Sequence, residues 1–125
     1  MTIEKIVKKI SLLHSVSTET PTSFNLAREI VNYISIDWSN PDLKILDPGC
    51  GRGTFLLAVL EKLEQYHNRE HIVKNMLYGC DISKVQYSIA MKALKMTSGV
   101  EANISNSDAL TKAWNMKFDV VLGNP

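Results

Sequence analysis

No stretch of the 125 residues approaches the roughly 18 consecutive apolar positions that a membrane-spanning helix needs, so no membrane role is expected. Cysteine is scarce, and Cys50 and Cys80 stand in no paired metal-ligand spacing. Met1 to Val16 alternates Lys and Glu with apolar residues and does not read as a secretory leader, so the two thiols are expected to be reduced and the protein cytoplasmic. Neither sign of charge dominates: 14 Lys and Arg against 13 Asp and Glu leave +1. That balance lacks the basic excess by which composition announces nucleic-acid binding. If the protein works on DNA, most phosphates are gripped by other regions. Repeats, low-complexity tracts and linkers are missing too, so nothing marks a second domain. What is present is a 45% hydrophobic chain, enough to bury the core of one modest domain or of a piece of a larger one.

The most informative stretch is Asp47-Pro48-Gly49-Cys50-Gly51-Arg52-Gly53-Thr54-Phe55, between an apolar strand (43 to 47) and an apolar-faced helix (54 to about 67). Glycines at alternate positions let the backbone turn tightly and let a ligand lie directly against it. Pro48 stiffens the entry. A dinucleotide fingerprint would read G-x-G-x-x-G, with glycine or alanine at position 54, where this sequence has Thr54. The G-x-G-x-G spacing with an acid ending the strand argues against a nicotinamide cofactor. It suits a ligand with a charged amino-acid end.

Upstream, Ile3, Ile6, Val7, Ile10 and Leu13 recur at helical spacing and predict an amphipathic helix with Lys5, Lys8 and Lys9 outside. A second helical pattern sets Leu26, Ile30, Tyr33 and Ile34 on one side, with Thr20 or Thr22 as its cap and Pro21 in its first turn. Asn40-Pro41 ends that pattern. Downstream, strands are expected at 43 to 47, 76 to 80, about 102 to 106 and 118 to 122. Helices at 54 to 67 and 83 to 97, and one helical turn at 108 to 113, separate them. Strands joined by crossover helices pair in parallel with right-handed connections, which predicts a doubly wound sheet in the order 3-2-1-4. Such sheets bind ligands beyond the carboxyl ends of their strands. Polar residues stand at those ends: Asp47, Asp81, Asp108 and Asn124.

Each carries alternatives. Asp47 is placed to accept from a ligand ammonium or from the amides of its own turn. Asp81 is placed for two ribose hydroxyls or for capping the next helix beside Ser83. Asp108 is placed for the exocyclic amine of an adenine or for capping a helical turn.

In this order the motifs Asp47 to Gly53, Asp81, Asp108 and Gly123-Asn124-Pro125 resemble those of the S-adenosylmethionine-dependent N6-adenine DNA methyltransferases. Glu19-Thr20-Pro21 is similar to the additional cofactor motif ahead of the glycine turn in their gamma class. The resemblance covers roughly residues 17 to 125. It implies a Rossmann-like class I methyltransferase fold, with residues 1–40 as a helical extension holding the cofactor-entry motif and 41–125 as a partial S-adenosylmethionine-binding half. Thr20 would bind the methionine carboxylate, and Asp47, Pro48, Gly49, Cys50, Gly51 and Gly53 the methionyl end. Asp81 would hold the ribose, Ile82 would pack on adenine, and Asp108 would read the adenine amine. Asn124 and Pro125 would open the catalytic Asn-Pro-Pro-aromatic loop, whose last two positions would be 126 and 127. The short interval between Asp47 and Asn124 leaves no room for a target-recognition domain, as in the gamma arrangement.

The resemblance thus implies methyl transfer to adenine N6 in double-stranded DNA, held mostly by regions outside these residues, and a carboxyl-terminal chain or restriction subunit as partner. Two alternatives stay open: a methyltransferase acting on protein glutamine or RNA, and a truncated, non-catalytic cofactor-binding module that completes its sheet with a partner. No metal site is assigned. His67 and His71 have the spacing of a zinc helix, but position 68 is Asn where a metalloprotease needs Glu. Asn68 to Glu70 reads as a solvated connector. Val85, Ile89, Met91, Ala93 and Met96 read as the buried side of a helix, and Trp38 and Trp114 as packing residues.

Overall fold

The computed structural model describes residues 1–13 and 23–123. Strands β1 (Ile45–Asp47), β2 (Leu77–Cys80), β3 (Asn103–Ser105) and β4 (Val120–Val121) pair in parallel in the order β3-β2-β1-β4. That is the order expected from the crossovers. Ile45 lies opposite Leu77 and Val120, and Gly79 opposite Ile104, so every strand's carboxyl end reaches the same edge of the sheet.

The two sheet faces differ. Ile45, Leu77 and Ile104 belong to the main core with the helices, whereas Leu46 and Cys80 are buried outside it, as alternation along a strand requires. On that second face Tyr78, Trp114 and Phe118 form an edge-to-face cluster with centroids 5.5 to 6.1 Å apart, which holds the β3–β4 connection against β2. An open cleft of about 260 Å³ lies beside it, lined by Tyr78, Asn103, Ser105, Lys112 and Trp114 among others. None of the three strand-end acids lines it.

Among the described residues five helices accompany the sheet: α1 (Ile3–Leu13), α2 (Phe24–Tyr33), α3 (Thr54–Leu63), α4 (Arg69–Asn75) and α5 (Lys84–Ser98). Among the described residues no helix is long and apolar enough to cross a membrane. The core runs from Ile3, Ile6 and Ile10 of α1 through Leu56, Leu57 and Leu60 of α3 to Ile89 and Leu94 of α5. Local chemistry sets the ends. Ser83 caps α5 through Gln86 N, and Gly99, in the left-handed region, closes it.

Two helices depart from the expected pattern. The predicted helix over 54–67 ends earlier, at Leu63, and the stretch Asn68 to Glu70, read as a solvated connector, instead starts a further helix: Asn68 is extended and its side chain accepts from His71 N to cap α4. His67 and His71 each place Nε2 2.9 Å from a backbone carbonyl, of Trp38 and Pro41 respectively, and so tether the loop before β1. For α2, the cap is Ser23, whose hydroxyl accepts from Leu26 N; Thr20, Pro21 and Thr22 lie outside the described residues.

The buried face of α2 is also not the predicted one. Ala27 and Val31 are buried, while Leu26 and Ile30 are exposed and Tyr33 is 89% exposed. Apolar residues form one broad arc of this helix, with Leu26, Ile30 and Tyr33 toward one edge and Ala27 and Val31 toward the other, so the pattern alone does not say which part of the arc is buried. The neighbours choose it: Arg28 grips Glu61 of α3 through two bonds of 2.7 and 2.8 Å and reaches Glu4 of α1 at 3.3 Å. A planar guanidinium matched to a carboxylate fixes direction as well as distance. In α5, likewise, Val85 is exposed rather than buried, and the buried side runs through Gln86, Ile89, Ala90, Ala93, Leu94 and Thr97.

The face assignment has a direct check. Val31→Ala should lower stability by about 2 kcal/mol, from two lost methyl groups and the space they leave. Tyr33→Ala should change it by no more than about 0.5 kcal/mol. Urea unfolding midpoints of the two variants decide between the two faces.

Candidate functional site

The glycine turn connects β1 to α3 and is fixed by four backbone amides. Gly49 N donates to Asp47 Oδ1 at 3.1 Å, Cys50 N to the Cys80 carbonyl at 2.9 Å, Gly51 N to Asp81 Oδ2 at 2.9 Å, and Gly53 N to the Cys50 carbonyl at 2.8 Å. The Cys80 thiol adds a bond to the Pro48 carbonyl at 3.1 Å. The turn is therefore closed onto the end of β2. Gly53, at φ 87°, starts α3 without any side-chain cap, which leaves the positive end of a helix at the turn.

Gly51 and Gly53 need glycine for their positive φ. A β-carbon on Gly49 or Gly51 would meet nothing within 4 Å, so open space borders the turn at both positions. Gly79 is restrictive in another way: a β-carbon there would come within 3.2 Å of both Cys50 Cβ and Leu56 Cδ1. A glycine inside a strand is a sequence signal of close backbone approach, and Tyr78-Gly79-Cys80 carried it.

Asp47 is buried, with 1% of its surface exposed. Desolvation pushes its carboxyl up to about 7, against the lowering by the Gly49 amide, and the nearby Asp81 charge adds to the rise. Gly123, at φ 145°, packs its backbone against the Asp47 carboxyl, where a β-carbon would overlap Oδ1. The residue preceding Asn124 thus touches the acid that opens the glycine turn. Cys50 and Cys80 are neighbours at adjacent strand ends, as expected. Both are free and buried, with thiols pushed up by burial and by Asp47 and Asp81. They are poor nucleophiles in this setting.

Asp81 bonds to the start of the next helix, although the cap of α5 itself is Ser83. Oδ1 accepts from Ser83 N at 2.8 Å and Oδ2 from Gly51 N, so the carboxylate orients the turn and the start of α5 while remaining half-exposed. Ile82 projects beside it, 74% exposed. Asp108 Oδ1 accepts from Leu110 N at 2.9 Å and its carbonyl accepts from Thr111 and Lys112, which is the capping geometry for the expected helical turn. Leu110, 93% exposed, is a second bare apolar side chain after a strand end, and periodicity did not single it out. Of the predicted site residues, Asp47 to Gly53, Asp81 and Ile82 come together at the ends of β1 and β2, and Asp108 follows β3. Thr20, Asn124 and Pro125 lie outside the described residues.

A family model of the N-6 DNA methylases matches residues 19–125. The chain belongs to the N-6 DNA methylase family. It is 32% identical over 107 residues to the type II methyltransferase M.VspI of a Vibrio species, covering 83% of this chain and 24% of that protein. It is 36% identical over 110 residues to the methylase subunit of the type I restriction enzyme MjaIX of Methanocaldococcus jannaschii, covering 85% of this chain and 18% of that one. It thus spans a quarter or less of these relatives. Among solved structures, a Listeria monocytogenes protein assigned to the class I S-adenosylmethionine-dependent methyltransferases superposes with a TM-score of 0.65 at 20% identity, over 97% of this chain and 38% of that one. The fold of this N-6 DNA methylase chain is that of class I methyltransferases, as the motif order implied.

The buried Asp47 makes stability depend on pH in a defined direction. Its folded carboxyl keeps a proton up to about 7, whereas the unfolded one releases it near 4, so between those values the folded state binds more protons. Stability from this group is therefore full below about 4 and lost as pH rises toward 7. Isosteric Asp47→Asn should flatten that segment of the stability profile, measured as urea midpoints from pH 4 to 8 against wild type.

Proposed function

We propose that this chain is the cofactor-binding part of an S-adenosylmethionine-dependent methyltransferase that modifies adenine N6 in DNA. The observation that carries the reading is the pairing of an open glycine turn with two carboxylates, Asp47 and Asp81, at the ends of adjacent central strands. The cofactor brings a cationic amino-acid end, a ribose and an adenine, and residues suited to each are present. Open space at Gly49 and Gly51 admits the methionyl end against backbone. Asp47 is the acceptor for its ammonium, and the uncapped start of α3, together with Thr20, favours its carboxylate. The unused lone pairs of Asp81 accept from the ribose hydroxyls, exposed Ile82 covers one adenine face, and the second oxygen of Asp108 accepts from the adenine amine.

When bound, the cofactor supplies an electrophilic methyl group on a sulfonium. The acceptor amine needs help, because its lone pair is delocalised into the purine ring. Asn124, through its side-chain oxygen, and Pro125, through its carbonyl, would each accept an N–H bond and draw the nitrogen toward tetrahedral geometry. This is catalysis by positioning and electrostatics, for which well-oriented partners supply on the order of 7 kcal/mol or more. The target base leaves the duplex to reach them. Residues 1–40 serve as the helical extension with the entry motif, and 41–125 as the Rossmann-like part. The family name and the restriction-enzyme relatives support DNA as substrate and a restriction subunit as partner, with the near-neutral charge of this chain leaving most phosphate contacts to other regions.

Calorimetric titration with S-adenosylhomocysteine tests the reading. Binding by the wild-type chain is expected, with Asp81→Ala weakening it about 10- to 100-fold through lost bonds to a charged acceptor. Unchanged affinity in that variant would remove Asp81 from the site.

A further inference from the structure

Asn106 is a residue that the motifs leave out. It follows β3, between Ser105 and the Ser107-Asp108 pair, and its side-chain nitrogen Nδ2 donates to two carbonyls at the end of β2: Asp81 O at 3.0 Å and Ile82 O at 3.2 Å. Facing two acceptors, the side chain must present its amide nitrogen there, since its oxygen would meet carbonyl oxygens. The peptides it grips belong to the two residues assigned to the ribose and the adenine. Other bonds hold the same segment by its backbone: Asp81 N donates to the Ser105 carbonyl and Ser107 N to the Asp81 carbonyl, both at 3.1 Å. Those two fix Asp81 as the last rung of a strand ladder. Asn106 reaches one residue further, to the Ile82 carbonyl, past the point where the ladder stops.

That reach matters because Asp81 has to do two things at once. Its carboxylate already accepts from Gly51 on one side and Ser83 on the other. Only a narrow range of orientations satisfies both and still points lone pairs outward. A shift of the Asp81–Ile82 backbone would rotate the carboxylate and the exposed Ile82 side chain together.

We infer that Asn106 is a positioning residue of the nucleoside subsite: without touching the ligand, it orients the Asp81 carboxylate toward the ribose hydroxyls by clamping the Asp81 and Ile82 carbonyls. The inference rests on the cofactor reading above. Its chemical signature is selective. Loosening the clamp weakens recognition of the ribose hydroxyls and leaves the grip of the glycine turn on the amino-acid end in place.

The test compares two ligands on three proteins. S-adenosylhomocysteine and its 2′-deoxy analogue are titrated into the wild-type chain, Asn106→Asp and Asn106→Ala. Asn106→Asp keeps the shape but turns a donor into an acceptor facing two carbonyls. Asn106→Ala removes the donor without adding charge, and keeps the comparison readable should the aspartate abolish binding. Wild type is expected to prefer the ribose ligand by about 10-fold, the value of one hydroxyl bonded to a carboxylate. In both variants that ratio should fall to about 2-fold or less, with thermal unfolding midpoints close to wild type because Asn106 is exposed. A full ratio in the variants, with or without an equal loss for both ligands, would overturn the assignment and leave Asn106 a purely structural residue. Failure of the wild-type chain to bind either ligand would overturn the cofactor reading and Asn106's role with it, and that outcome is visible before any variant is made.

Discussion

The bond from the Gly51 amide to the Asp81 carboxylate is the constraint around which the rest is arranged. It crosses from the loop after β1 to the end of β2, and it is charge-assisted, so it is stronger than the neutral bonds beside it. With the Cys50 amide bonded to the Cys80 carbonyl, it folds the glycine turn back onto the neighbouring strand. A β-carbon at Gly79 would be crowded by the turn's Cys50 and by Leu56 of α3, each 3.2 Å away, which favours glycine there. The same bond sets the direction of the Asp81 carboxylate, and through the Ser83 amide that carboxylate sets where α5 begins. One interaction thus links the conformation of the turn, the identity of a strand residue and the start of a helix.

The parts of the molecule written in local chemistry were legible in the sequence. Short apolar strands alternating with helices imply parallel pairing and the order 3-2-1-4, and each strand-end acid stands where that topology sends it. Asp108 caps its helical turn, as its position suggested, because its side chain satisfies an amide two residues on. What could not be read were choices made by distant partners. The buried part of α2's broad apolar arc is set by neighbours such as Glu61, which Arg28 meets from 33 residues away. The start of α4 depends on the Asn68 amide oxygen finding His71 N, a competition of small energies in a stretch that reads as a connector. Asn106 was invisible because its partners are backbone carbonyls, which carry no sequence signature.

The two carboxylates of the site stand in different surroundings. Asp81 receives two amide bonds and is partly exposed. Asp47 is almost wholly buried, with Gly123 packed against it and the Asp81 charge nearby, conditions that favour its neutral form. The cost of that arrangement is greatest when no cation is present. Under the proposed function, the cofactor's ammonium would offset that cost by pairing with Asp47 in a position where the attraction is little screened.

The same contact ties the two halves of the proposed chemistry together. Gly123 can lie against the Asp47 carboxyl only because it has no β-carbon, and Asn124 follows directly in the chain. The glycine ahead of the Asn-Pro pair is then more than a permissive spacer: it is where the acid of the glycine turn and the backbone just before Asn124 occupy neighbouring volume, which a side chain at 123 would disrupt.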